Sequence, residues 1–161
     1  KMLLAEAARR GIPVLGICLG CQILAAALGG RAYRGDGREV GVVRLELTPE
    51  GRADSVVRHL DGPVVVSHAD TWDLPPGAAL LAFSARYRHA FRLGSALGLQ
   101  PHPETGPEPF ARWTRAKPAA ELARDGIDPE AAIAAAQAHA AEQRAMAARL
   151  FGAWVSEIAS R

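Results

Sequence analysis

Apolar positions near the start of the chain recur at two different spacings. Over residues 2–10, Leu3, Leu4, Ala7 and Ala8 share one helical face, and Gly11 supplies a C-terminal stop. Ile12-Pro13-Val14-Leu15-Gly16-Ile17 is a short, nearly unbroken apolar run, suited to a strand buried on both faces and paired in parallel. Residues 18–20 then predict a tight turn, and residues 22–28 a helix closed by Gly29-Gly30. Helix, strand, turn and helix in so short a span is the rhythm of a layered α/β fold.

Between residues 40 and 48 the pattern becomes alternating, with Val43, Leu45 and Leu47 set against Val42, Arg44 and Glu46. That predicts a strand with one solvated face. Residues 63–67 predict another buried strand, Leu74-Pro75-Pro76-Gly77 a turn, and residues 79–84 a further strand. Residues 89–93 and 96–100 flank Gly94-Ser95 as a hairpin would. Past Glu104 the character changes. Pro103, Pro107 and Pro109 mark a loop, and the rest is helical, with Asp128-Pro129-Glu130 combining a cap, a first-position proline and a first-turn acid. The alanine-rich stretch that follows has high helix propensity. These elements predict one domain over residues 1–161, with residues 106–161 as its helical tail. The chain opens inside what reads as a helix, so it looks like a fragment of a longer domain.

Composition narrows the function classes. With 161 residues, 49% of them apolar, the chain can bury one core. Nineteen basic and seventeen acidic residues leave a net +2, and the basic residues are scattered. A nucleic-acid partner, which calls for a concentrated basic face, is therefore not expected. No stretch is suited to a bilayer, because Gln137, His139, Glu142 and Arg144 interrupt the alanine-rich run. The N-terminus lacks a signal-peptide pattern. Two cysteines, three apart, need no disulfide framework and point to a reducing cytoplasm.

Candidate chemistry begins at Gly16-Ile17-Cys18-Leu19-Gly20-Cys21-Gln22. A cysteine between a buried strand and a helix, with glycines two before and two after, has the form of a nucleophile elbow. The turn exposes Cys18, and the flanking glycines leave room for a crowded backbone. At a helix N-terminus the dipole and free amides favour negative charge on sulfur, and the Leu19 amide offers one oxyanion donor. On this segment alone a small buried core cysteine competes evenly. Cys18 and Cys21 also form a C-x-x-C, but redox chemistry leaves Gly16-Ile17 and Gln22 unexplained. Zinc lacks a second cysteine pair.

The second segment is Gln100-Pro101-His102-Pro103-Glu104. A histidine just beyond a buried strand can reach an elbow at a neighbouring strand end. A carboxylate two residues later can hold the imidazole by its other nitrogen, as in a triad. Taken alone this segment is more simply a polar loop. Combined with the elbow, the order Cys, His, Glu is far more specific.

Together these motifs resemble the class I (triad) glutamine amidotransferases. Supporting segments are Ala27-Leu28-Gly29-Gly30, Glu39-Val40-Gly41, and Ser67-His68-Ala69-Asp70 followed by Leu74-Pro75-Pro76-Gly77. The last pair is similar to the amidotransferase domain of GMP synthases, and the resemblance spans about residues 11–104. It implies a flavodoxin-like, three-layer α/β fold: an open sheet with helices on both faces, N-terminal strands absent, and a helical C-terminal tail. It further implies Cys18 as nucleophile on the glutamine amide, His102 as acid and base, and Glu104 as the group that holds His102. Leu19, Gln22, Ser67, His68 and Asp70 become substrate contacts, mostly through backbone in the 67–70 loop. No metal or cofactor is implied, and His59, His89 and His139 are expected to be surface or packing residues.

Two features depart from the family pattern. Pro101 stands where an aromatic residue usually precedes the catalytic histidine. The family's earlier strands, and the glycine-rich loop with its second oxyanion donor, have no counterpart within residues 1–161. The tail is too short for a fused ATP-dependent acceptor domain. The resemblance therefore implies a stand-alone, GMP-synthase-like amidotransferase that passes ammonia to a synthetase partner. Two alternatives stay open: a γ-glutamyl hydrolase or peptidase, and a non-catalytic scaffold of the same fold.

Overall fold

A computed structural model describes residues 1–160. Its first helix, α1 (Met2–Arg9), leads through Gly11 into strand β1 (Val14–Ile17) and helix α2 (Leu19–Ala27). Leu4 and Ala8 of α1 pack on the core, whereas Leu3 stays exposed. Strand β2 (Ala32–Arg44) is longer than its alternation suggested, and β3 (Glu46–Leu47) breaks from it to join a different sheet. The expected single strand over residues 40–48 is thus two strands. A short helix, α3 (Pro49–Ala53), and a 3-10 turn (Val57–His59) lead to β4 (Pro63–Trp72). Strands β5 (Ala79–Phe83), β6 (Arg88–Leu93) and β7 (Ala96–Leu99) follow, then helices α4 (Pro107–Arg115), α5 (Ala119–Arg124), α6 (Pro129–Ala138) and α7 (Ala140–Ala159).

The main sheet has the order β1-β7-β6-β5-β3. Its β1–β7 pair is parallel, with Ile17 opposite Leu99, and the β6–β7 hairpin forms as its glycine-serine turn suggested. The β6 and β7 side chains alternate between two cores. Ala90, Leu97 and Leu99 face a cluster with Met146, Leu150 and Trp154 of α7, while Phe91 and Ala96 face one with Cys21, Leu24 and Ala25 of α2. Helices therefore cover both faces, the expected three-layer α/β arrangement, and burial on both sides accounts for the unbroken apolar character of β7.

Strands β2 and β4 form a separate antiparallel ribbon with a register shift between Arg34 and Glu39. A third cluster, including Val65, Phe110 and Ile133, seals this ribbon beneath α4 and α6. Pro107 and Pro109 lie in the first turn of α4, not in a loop, because an N-terminal turn leaves its amides unbonded and tolerates proline. Asp128 caps α6 by accepting from the Glu130 and Ala131 amides. Arg92 of β6 ties the end of α7 to the sheet, pairing with Asp54 at 2.6 Å and Glu157 at 3.1 Å.

Candidate active site

Cys18 sits at the junction of β1 and α2 with φ 49° and ψ −106°, and among the described residues no other non-glycine residue has positive φ. That backbone costs roughly 1–3 kcal/mol and persists only where neighbours enforce it. Three contacts do so. The Cys18 amide donates to the Leu99 carbonyl at 2.7 Å, the Gln22 amide donates back to the Cys18 carbonyl at 3.1 Å, and Gln100 Nε2 donates to Sγ at 3.5 Å. Gly16 is required by the turn, since a Cβ there would lie 2.6 Å from the Gly20 carbonyl oxygen. Gly20 is different. Nothing lies within 4 Å of a Cβ built on it, so crowding does not explain that glycine.

The parallel register of β1 and β7 sets the chain after Leu99 beside the elbow. Gln100 is fully buried there, and the His102 amide donates to the Val65 carbonyl at 2.7 Å. His102 Nδ1 lies 2.7 Å from Glu104 Oε1, which leaves Nε2 for Cys18. Burial would push the imidazole down, but hydrogen bonds to Cys18 and Glu104 outweigh it and raise the pKa to about 9. At neutral pH the ring therefore carries the proton of the pair, between Glu104 and the Cys18 sulfur. Trp113 of α4 leans over it, ring centroids 5.2 Å apart. The structure thus brings Cys18, His102 and Glu104 together. Cys21, by contrast, is fully buried, and burial followed by the nearby Cys18 pushes its thiol well up.

A cleft of about 210 Å³ opens beside Cys18, lined by Gln22, Arg34, Ser67, His68, Ala69 and Asp70. Four of the expected substrate contacts are therefore gathered on one side of the sulfur. Leu19 opens α2 with an exposed side chain, and the first amides of a helix have no intrahelical acceptor. Residues 67–70 are not a loop as expected: they lie within β4, held by pairing of Ser67 with Val40 and His68 with Glu39. Gln22 Nε2 is directed inward, to the Asp70 carbonyl at 3.2 Å and Gln100 Oε1 at 3.3 Å. Arg34 carried no signal in the sequence pattern. It faces Asp70 at 3.7 Å across the cleft mouth.

Glu39 was likewise not expected as a site residue. Its Oε2 lies 3.2 Å from His68 Nε2 and 2.9 Å from His89 Nε2, and Ser84 Oγ donates to its Oε1 at 2.9 Å. Burial works against the charge on Glu39, but the two histidines and Ser84 overcome it and hold the carboxyl well below its usual range. His89 is fully buried, and burial lowers its pKa despite Glu39. His89 is thus a packing residue, as expected, but within a polar network. Glu39, His68 and His89 offer ligand atoms within 4.8 Å of one another, the arrangement among the described residues that could hold a metal ion. Their hydrogen bonds to one another, to Ser84 and to the Asp70 carbonyl account for the convergence without an ion.

Gln143 of α7 is a further buried polar residue. Its Oε1 accepts from the Val65 amide at 2.8 Å, and its Nε2 donates to the carbonyls of Thr105 and His102, the latter at 3.5 Å.

An α/β domain with a strained cysteine at a strand-to-helix turn and a His-Glu pair on the adjacent strand end has the geometry of a nucleophile elbow. The family model for class-I glutamine amidotransferases matches residues 1–117, and the chain belongs to that family. GMP synthase (glutamine-hydrolyzing) of Thermomicrobium roseum is 41% identical over 103 residues, covering 62% of this chain and 19% of that protein. GMP synthase (glutamine-hydrolyzing) of Aquifex aeolicus is 36% identical over 100 residues, 58% of this chain and 19% of that protein. The chain thus spans about a fifth of the length of either relative. Among solved structures, a glutamine amidotransferase from Thermotoga maritima superposes with a TM-score of 0.80 at 34% identity, over 96% of this chain and 67% of that one. One from Methylobacillus flagellatus shares the fold, with a TM-score of 0.78 at 24% identity. No helix is long and apolar enough to cross a membrane among the described residues.

Proposed function

We propose that the chain hydrolyses the side-chain amide of glutamine through a γ-glutamyl thioester on Cys18 and releases ammonia for an acceptor held by a synthetase partner. The observation that carries this reading is the strained Cys18 backbone facing a His102 that Glu104 orients at 2.7 Å. With His102 holding the proton, Cys18 attacks as the thiolate, its Sγ bonding to the carboxamide carbon, and the oxyanion that forms meets the Leu19 amide. Protonated His102 gives its proton to the departing nitrogen, and ammonia leaves as the thioester closes. The now neutral imidazole takes a proton from water, hydroxide adds to the thioester, and glutamate departs with Cys18 restored. The cleft lined by Ser67, His68 and Asp70 receives the amino-acid end of the substrate. The family membership and the similarity to glutamine-hydrolyzing GMP synthases support the same reading.

The test is ammonia release from glutamine by the purified chain, beside Cys18→Ser. Turnover by the parent and none by the variant is the expected result. Equal background release by both would refute the hydrolytic role.

A further inference from the structure

We propose that Gln143, on the C-terminal helix α7, is a positioning residue for His102. The inference rests on the hydrolytic reading above but can be tested apart from it. Val65 and His102 are joined on one side by the His102 amide, which donates to the Val65 carbonyl at 2.7 Å. The Gln143 side chain closes the other side. It accepts from the Val65 amide at 2.8 Å and donates to the His102 carbonyl at 3.5 Å and to Thr105. A side-chain amide carries one acceptor and a donor group in the geometry of a peptide unit. Gln143 therefore stands where a neighbouring strand's peptide would, and it completes a bridge between β4 and the segment that bears the base.

The amide orientation is fixed by its partners, since the Val65 N–H can only donate and the Thr105 carbonyl can only accept. The Thr105 amide donates to the His102 carbonyl at 3.3 Å, so residues 102–105 form one turn containing both His102 and Glu104. Gln143 holds the two ends of that turn. It also fixes the turn to β4, the strand that carries Ser67, His68 and Asp70. Base, orienting acid and substrate cleft are thereby referred to one side chain. All three residues are buried, Gln143 at 6% exposed, Val65 at 2% and Thr105 at 7%, beside a cavity of about 410 Å³. The helix that presents it is anchored independently by Met146, Leu150 and Trp154, so the bridge rests on a rigid support.

Two variants of the full chain test this. Gln143→Leu removes every hydrogen bond. Gln143→Glu keeps an acceptor for the Val65 amide but sets a carboxylate against the two carbonyls. With the turn released, kcat for glutamine falls, on the order of 10²-fold for a misplacement near 1 Å, while KM changes little. The pH profile of kcat/KM moves with it. Gln143→Glu recovers toward the parent rate at acid pH, where a protonated carboxyl again donates to Thr105. The readout independent of turnover is an NMR titration of the His102 ring. It is expected to titrate near 9 in the parent and to move toward 6.5 in Gln143→Leu. A parent without glutaminase activity would refute the hydrolytic reading and leave this titration to decide the inference. Folded variants with unchanged His102 titration and unchanged pH profile overturn it. Loss of cooperative folding in both variants also overturns it, since Gln143 would then be structural only.

Discussion

Replacing Cys18 with glycine should make the protein more stable than replacing it with alanine, the reverse of the usual order. Both variants lose the sulfur and its contact with Gln100, so those effects cancel in the comparison. What remains is the backbone at φ 49°, ψ −106°. Holding an L-residue there costs roughly 1–3 kcal/mol, a strain that glycine does not feel. Glycine's greater freedom in the unfolded chain returns about 0.5–1 kcal/mol of that gain. The balance leaves Cys18→Gly about 1 kcal/mol ahead of Cys18→Ala, or about 2–4 °C in melting temperature for a domain of this size. Paired urea and thermal melts at neutral pH would measure it. Cys18→Ala matching or exceeding Cys18→Gly would show that the elbow stores no strain, and the case for an enforced, exposed nucleophile would lose its physical basis.

Further outcomes follow from other parts of the structure. Gly16→Ala sets a Cβ 2.6 Å from a backbone oxygen and should destabilise by about 1–3 kcal/mol, whereas Gly20→Ala, with open space, should change stability by less than about 0.5 kcal/mol. Similar denaturation midpoints for the two would contradict the packing of the elbow. Glu104→Ala should lower the His102 pKa from about 9 toward 6.5 and reduce kcat by roughly 10²-fold or more, read by NMR titration and ammonia release. An unmoved titration would remove Glu104 from its role. Acid should destabilise the fold in two stages. Burial holds the His89 pKa below 6.5, so its contribution is lost as pH falls through that value, when only the unfolded chain takes the proton. Glu39, held below 4.5, adds a loss beneath that value. His102, raised to about 9, works the other way, its contribution complete only below pH 6.5. The His89 loss is therefore read as the difference between the parent and His89→Gln below pH 6.5, and melting temperatures should fall steeply below 4.5. A parent profile that stays flat from pH 4.5 to pH 3 would contradict the Glu39 network.

Much of the layout was legible because buried strands and the elbow leave dense local signals. The run ending at Ile17 becomes a parallel strand, though only partly buried and with Ile12 exposed. Gly16 meets the crowding its place suggested while Gly20 does not, and the hairpin at Gly94-Ser95 forms. Elements whose character comes from tertiary pairing were harder to see. The first half of β2 carries Arg34, Gly35, Asp36 and Gly37, which show no apolar alternation. Pairing of Ala32, Tyr33 and Arg34 with β4 brings it into the ribbon, and the glycines lie in the register shift. The same pairing converts residues 67–70 from an expected loop into strand. In the site, the order of Cys, His and Glu was visible in the motifs, but Glu39 and Gln143 lie far from them in sequence. Gln143 did leave a trace: with Met146, Leu150 and Trp154 it falls on the buried stripe of α7, where a polar residue calls for a partner. Nothing in the chain pattern named Val65, His102 and Thr105 as those partners.

Whether Cys18, and not Cys21, is the nucleophile of a formed glutamine site can be read from covalent labelling. The protein is treated with a glutamine-mimicking electrophile, with and without glutamine, and the adduct is mapped by mass spectrometry. Rapid labelling at Cys18 alone is expected, slowed by glutamine and abolished in Cys18→Ser, because Cys21 is fully buried and its thiol is pushed up by burial. Labelling shared equally with Cys21, or no labelling that glutamine protects, would contradict that assignment.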